Sequence, residues 1–179
     1  FSNHDVERHV TRWAQPGEED RVAKFCVSLL ASLRGSLCLY QGEELGLTEA
    51  QLEFEQLQDP YGIRFWPDFK GRDGCRTPYP WDANTPNAGF SEGKPWLPVP
   101  VEHLPQAYAQ EVGMDGSVLG HYRAVLKARS MIPALLSGGM NFIKNSHDVL
   151  AFERTFGDET YLCVFNFSQS PAHYKLAKP

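Results

Sequence analysis

The chain has 179 residues, 42% apolar and 22% charged, the balance of a folded globular protein rather than a disordered one. Its formal net charge of −5, with no basic run, argues against a nucleic-acid-binding surface. No apolar stretch approaches the ~20 residues of a membrane helix, since the longest candidate, Phe25 to Leu33, belongs to an amphipathic pattern.

The chain opens on Phe1-Ser2-Asn3-His4-Asp5. An apolar start followed by three compact polar residues reads as the end of a buried strand emerging into a cleft. An imidazole beside a carboxylate combines a donor with acceptor oxygens and suits hydroxyl groups. Arg8 to Gln15 reads as a loop closed by Pro16-Gly17. Glu18, Glu19 and Asp20 then open a helix, where acidic groups favour the positive end of the macrodipole. Val22, Phe25, Cys26, Leu29, Leu30 and Leu33 form its apolar face, Gly35 ends it, and Ser36 to Tyr40 reads as a short buried parallel strand. The Phe25/Leu29 face is expected to pack on that strand. Strand, helix, strand is the repeat of a parallel α/β barrel.

From Leu47 to about Gly113 runs a long irregular segment, rich in proline and aromatics, of the kind that builds the active-site mouth of such barrels. Within it Thr48-Glu49-Ala50-Gln51 has the form of a capping box. Ser117 reads as the N-cap of a further helix, whose stripe of Val118, Leu119, Tyr122, Val125, Leu126 and Ile132 runs to Pro133. Gly138-Gly139 marks a change of architecture. Val149 to Thr155 and Thr160 to Phe167 read as β segments joined at Gly157-Asp158, and about three strands fit before Pro179. The division expected falls at Gly138, between an α/β part, residues 1–137, and a β part, residues 138–179.

The cysteines Cys26, Cys38, Cys75 and Cys163 lack metal-ligand spacing, and Cys26, Cys38 and Cys163 sit in apolar runs as small buried hydrophobes. Sparse cysteine favours a reducing compartment, so the cytoplasm is expected, with the periplasm as the alternative. His9, His103, His121, His147 and His173 share no spacing and read as surface or loop residues.

Read from the residues alone, Asp5 could pair with Glu43 or Glu44 as nucleophile and acid, because adjacent barrel strands would bring them close. Three stretches taken together point elsewhere: Phe-Ser-Asn-His-Asp at 1–5, Tyr40-Gln41-Gly42-Glu43-Glu44-Leu45-Gly46, and Gly71-Arg72-Asp73-Gly74-Cys75-Arg76-Thr77-Pro78-Tyr79-Pro80-Trp81-Asp82. In this order they resemble the last third of the α-glucosidases and oligo-1,6-glucosidases of glycoside hydrolase family 13, the α-amylase family. The resemblance implies an α/β fold, the C-terminal part of a (β/α)8 TIM barrel followed by the start of an antiparallel β-domain. It also implies that the nucleophile and the general acid/base lie on earlier strands, upstream of Phe1. Asp5 is then the third carboxylate, which stabilises the transition state.

By the same resemblance His4 donates to a sugar hydroxyl and Arg72 holds the terminal sugar or orients Asp5. Arg76 and Asp73 are expected to pair and stiffen their loop, Arg8 to make a structural ion pair, and Glu43 and Glu44 to be structural. The aromatics Phe65, Trp66, Phe69, Trp81, Phe90 and Trp96 suit either sugar faces or rim packing, with rim packing favoured for Trp81. Tyr79 departs from the methionine of many relatives. Asp5, His4 and Arg72 should converge, with Asp5 and Arg72 within ~8 Å, about one sugar ring plus its hydrogen bonds.

The implied activity is part of a retaining α-glucosidase acting on terminal α-linked glucose of short oligosaccharides. A transglucosidase or sucrose hydrolase is the alternative within the family. A non-catalytic barrel relative serving as a scaffold subunit is the alternative from another class. The partners implied are an α-glucoside oligosaccharide and the N-terminal part of the same protein, with no nucleic acid, membrane, cofactor or metal assigned. The segment alone is expected to be inactive.

Overall fold

A computed structural model describes residues 1–143 and 148–175. His147 lies outside them. The chain divides into two compact units, one made of Phe1–Val27 and Cys38–Ala124, the other of Ser28–Leu37 and the segment from Val125 onward.

The first unit begins with a tight turn rather than a strand end. Asn3 and Val6 share an isolated antiparallel bridge, and Asp5 N–H donates to Asn3 Oδ1 at 2.8 Å. That side-chain-to-backbone bond is how Asn builds a turn. Helix α1 (His9–Trp13) follows where a loop was expected. Five residues with β-branched Val10 and Thr11 carry little helical signal. What holds them is tertiary: Val10 and His9 are buried, and Trp13 sits edge-on to Phe1 at 5.2 Å and against His9 at 5.9 Å.

Helix α2 (Glu19–Ser32) carries Glu19 and Asp20 in its first turn, as the charges predicted. Its most buried side chains are Ala23, Cys26, Val27 and Ala31, whereas Val22, Phe25 and Leu30 are only partly covered. Of the predicted stripe, Cys26 and Leu29 are buried, so the inward face overlaps it only in part. Small residues permit the closest approach and take the tightest contact.

Ser36–Tyr40 forms neither strand nor helix, contrary to expectation. A parallel strand exists only through ladder bonds to its neighbours, and among the described residues none runs beside it. Cys38 is accordingly exposed rather than buried, while Cys26 and Cys75 are buried; these and Cys163 are all free thiols.

The segment from Leu47 to Gly113 is held by short elements around small cores. One joins Ala50, Leu52, Leu57 and Leu97, with Trp66 against it; another joins Leu45, Leu47 and Leu119, flanked by Tyr79 and Tyr108. The capping box lies at Glu53 and Gln56, opening a 3-10 turn at Phe54–Gln56, and not at Thr48–Gln51. Helix α3 (Pro60–Phe65) is capped by Asp59, which accepts from Tyr61 N–H, with Pro60 at the first helical position. Helix α4 (Tyr108–Glu111) precedes α5 (Val118–Met131). At the start of α5, Ser117 Oγ accepts from Gly120 N–H at 3.0 Å, as its cap role required, and Glu111 Oε2 accepts from Leu119 N–H at 3.1 Å.

In the second unit two arginines satisfy the carbonyls that a helix C-terminus leaves orphaned. Arg129 donates to the oxygens of Ala31, Leu33 and Gly35, and Arg154 donates to Ser32 O at 2.6 Å and to Gly138 and Gly139. After α6 (Pro133–Leu136) come β1 (Gly139–Phe142), β2 (Val149–Phe156) and β3 (Glu159–Asn166). They form an antiparallel sheet in the order β1-β2-β3, and the Phe156–Glu159 pairing places the hairpin turn at Gly157-Asp158 as predicted. Phe142, Phe152 and Phe165 make an aromatic ladder, with centroids 5.9 and 6.0 Å apart.

Candidate active site

The Asn3–Val6 turn presents Asp5 half exposed, and three cations or potential cations meet its carboxylate. Arg72 NH1 reaches Asp5 Oδ1 at 3.1 Å, Arg76 NH2 reaches the same oxygen at 2.9 Å, and His4 Nε2 lies 3.1 Å from Oδ2. Arg76 also donates through Nε to His4 O at 2.7 Å, fixing the backbone beside Asp5. Residues 67 and 71 positions away are thus joined to the opening turn. At this exposure each pair contributes only about 0–1 kcal/mol. The cluster's effect is to place charge, not to hold the fold.

Arg76 belongs to this cluster and does not pair with Asp73 as expected. Asp73 is buried and its Oδ2 accepts from the backbone N–H of Gln58 at 2.6 Å and of Asp59 at 2.7 Å. Asp59 in turn grips Arg72. Its Oδ2 accepts from Arg72 Nε at 2.7 Å and from Arg72 N–H at 2.9 Å, and its Oδ1 from NH2 at 3.0 Å. The Arg72 guanidinium, before other neighbours, holds the Asp59 carboxyl well below its usual range, at about 2. Sequence reasoning missed Asp59. Its one local signal, the Asp-Pro that opens α3, announces a helix start and says nothing of Arg72.

Two glycines permit this approach. A Cβ on Gly62 would lie 2.6 Å from Lys70 O, and one on Gly71, whose φ is +79°, would lie 2.8 Å from Gly62 Cα. The segment carrying Arg72 can therefore lie directly on α3.

Arg8 is buried and pins the site from below. NH1 donates to Gln41 O at 2.8 Å and NH2 to Cys75 O at 3.1 Å, and the guanidinium lies 5.3 Å from the centre of the Tyr40 ring. It is structural, but it bonds backbone carbonyls rather than forming the ion pair that was expected. Tyr40 Oη donates to the same Cys75 carbonyl at 2.9 Å.

Glu43 is buried, accepts from Ser2 N–H at 2.9 Å and lies 3.4 Å from His9 Nδ1. Glu44 accepts from Gly42 N–H at 2.9 Å. Each of these carboxylates is thus engaged by groups of its own surroundings, Glu43 by Ser2 and His9 and Glu44 by the Gly42 amide. His9 and His103 are buried, against expectation. His103 Nε2–H donates to Thr48 O at 2.9 Å, and burial lowers its pKa to about 4, leaving a neutral structural imidazole.

Beside the charged cluster lies a cleft of about 500 Å³ lined by Gln41, Glu44, Arg76, Thr77, Tyr79 and the aromatics Trp81, Phe90 and Trp96, among others. Trp81 lies tilted against Tyr79 at 4.6 Å and edge-on to Tyr108 at 5.8 Å. Trp66 packs into the Ala50–Leu97 core instead, and Phe65 stacks on Tyr61 at 6.4 Å. Among the described residues no group of three or more His, Cys, Asp or Glu is placed to hold a metal ion, and no helix is long and apolar enough to cross a membrane.

Glu49 joins the segments that carry the cluster. Its Oε2 accepts from Arg8 N–H at 3.0 Å, and Ala50 N–H donates to Gly74 O at 3.2 Å. Burial raises its pKa to about 7, against the pull of the Arg8 amide and guanidinium. A carboxyl whose folded pKa exceeds its unfolded value holds its proton in the folded state over the intervening range. Stability is then full below about pH 4.5 and falls as pH rises towards about 7. Glu49→Gln keeps the acceptor for Arg8 N–H and removes the titration. Its melting temperature should match the unaltered protein below pH 4.5, exceed it increasingly up to about pH 7, and keep a constant lead above that. A constant difference across that window in thermal melts would show that Glu49 does not titrate there.

With the opening turn and the arginine cluster described, comparison with known proteins places the chain in a family. Residues 1–138 match the family described as Alpha amylase, catalytic domain, and residues 140–178 match Maltogenic Amylase, C-terminal domain. The chain belongs to the α-amylase family, glycoside hydrolase family 13, and has the fold of the C-terminal part of its (β/α)8 barrel followed by the start of an antiparallel β-domain.

Among its relatives is the "Probable alpha-glucosidase" of Rhizobium meliloti (strain 1021), 52% identical over 98% of this chain and 32% of the relative. Another is the oligo-1,6-glucosidase of Halalkalibacterium halodurans, 30% identical over 100% of this chain and 36% of the relative. Of solved structures, the α-glucosyl transfer enzyme XgtA matches with a TM-score of 0.87 at 52% identity, over 96% of this chain and 32% of the other. The chain spans about a third of the length of these relatives.

Proposed function

We propose that this chain is the C-terminal third of a retaining α-glucosidase that removes terminal α-linked glucose from short oligosaccharides. Residues 1–137 would complete the barrel and 138–179 begin the β-domain, with the cytoplasm as the working compartment. The observation that supports this most is the convergence of Asp5, His4, Arg72 and Arg76, drawn from two distant segments onto one half-exposed carboxylate. A retaining mechanism needs two further carboxyl groups, one as nucleophile and one as acid/base. These would come from the N-terminal part of the same polypeptide. Asp5 then acts on the sugar ring as positive charge develops, while His4 and Arg72 hold hydroxyl groups and Arg76 fixes the turn.

A second reading within the family, transfer of the glucosyl group to an acceptor other than water, draws support from the likeness to XgtA, an α-glucosyl transfer enzyme. Assay of the complete protein and of this segment on an aryl α-glucoside, with and without an added sugar acceptor, tests both. We expect turnover by the complete protein and none by the segment. Free glucose as the main product favours hydrolysis, and a glucosylated acceptor favours transfer. No turnover by the complete protein would leave the scaffold reading.

A further inference from the structure

The buried carboxylate of Asp59 does more than cap a helix. Its two oxygens accept four N–H groups: Tyr61 N–H, Arg72 N–H, and the Nε and NH2 of Arg72. Asp59 is itself held by Asp73, which accepts its backbone N–H at 2.7 Å, and by the close approach of Gly62 and Gly71. The anchor is therefore held on both sides, and it occupies one edge of the Arg72 fork. Only NH1 is turned to Asp5, by a single bond at 3.1 Å. Three of the five N–H groups of the guanidinium are taken and the other two are left for a ligand.

Without Asp59 the two groups nearest Arg72 would meet differently. A guanidinium and a carboxylate prefer the bidentate fork-to-fork pair, and Asp5 would be the acidic partner left to it. Such a pair would occupy both the donors and the acceptor oxygens that a sugar needs.

We propose that Asp59 is a positioning residue that holds the Arg72 guanidinium edge-on, limiting Arg72 to a single bond with Asp5 and leaving the remaining N–H groups of Arg72 to the substrate. This rests on the reading of Asp5 and Arg72 as sugar-binding groups.

Asp59→Asn is the discriminating variant, because Asn caps a helix as well as Asp does but cannot accept a bidentate guanidinium. In the complete enzyme with an aryl α-glucoside, Asp59→Asn should lower kcat/KM roughly ten- to a hundredfold, the usual range for a charge-assisted hydrogen bond, mainly through a higher KM. In an Arg72→Lys background the same change should cost less than about twofold, because its target is gone. A merely structural role would lower the active fraction, and so the apparent kcat, equally in both backgrounds. The proposal is overturned if Asp59→Asn leaves kcat/KM within twofold, or if its cost is undiminished in the Arg72→Lys background. A crystal structure of Asp59→Asn tests the same point independently of kinetics. Arg72 turned onto Asp5 through two bonds supports the proposal, and an unmoved Arg72 overturns it. If the unaltered enzyme does not act on α-glucosides, the functional reading falls, and the crystal structure alone decides the positioning claim.

Discussion

In the complete enzyme, Asp5→Asn should lower kcat by about two to three orders of magnitude, the usual cost of losing one group that stabilises transition-state charge. The substitution keeps the size of the side chain and its turn, since the Asp5 N–H bond to Asn3 is a backbone contact. What it removes is the negative charge facing Arg72, Arg76 and the substrate. A carboxylate whose contacts tighten as the sugar flattens acts in the transition state, so KM should change far less than kcat. Steady-state kinetics on an aryl α-glucoside separates the two. A raised KM with unchanged kcat would make Asp5 a ground-state binder.

Arg8→Met should destabilise the fold by roughly 3 kcal/mol, because charged hydrogen bonds are lost and a buried acceptor is left unpaired. The side chain is enclosed, and its two carbonyl acceptors, on Gln41 and Cys75, belong to different segments. Methionine fills similar volume, so the loss is one of polar contacts rather than packing. Replacing a buried ion pair by apolar groups is often harmless when both partners are removed. Here the backbone carbonyls cannot be removed. Cys75 O retains Tyr40, whereas Gln41 O loses its donor. Denaturation midpoints in urea would measure the effect, and a midpoint equal to that of the unaltered protein would show that Arg8 is not a pin. Activity should fall as well, since Arg8 lies just beyond the turn that holds Asp5.

The elements that were legible locally were those with a local cause. The acidic entry and apolar spacing of α2, the Ser117 cap of α5, and the alternation and turn residues of the β2–β3 hairpin each rest on interactions within a few residues. The family resemblance was carried by short polar runs at 1–5, 40–46 and 71–82. Where the reading failed, the cause was long-range. Helix α1 depends on an aromatic cluster that includes Phe1, and the stretch Ser36–Tyr40 has no neighbour among the described residues to make it a strand.

For the site, Asp5, His4 and Arg72 were named through the resemblance of the runs at 1–5 and 71–82 to the family's motifs, since a His-Asp pair by itself is ordinary loop chemistry. The partition among the charges was decided only by the tertiary structure. Asp73 turned to backbone amides, Arg76 turned to Asp5, and Asp59 took the Arg72 fork. Each of these acidic and basic residues has several opposite charges within reach along the chain, so spacing cannot choose among them. The choice follows from which backbone N–H groups are buried without other acceptors, and from how closely two glycines let α3 and the Arg72 segment approach. Those facts exist only once the chain is folded.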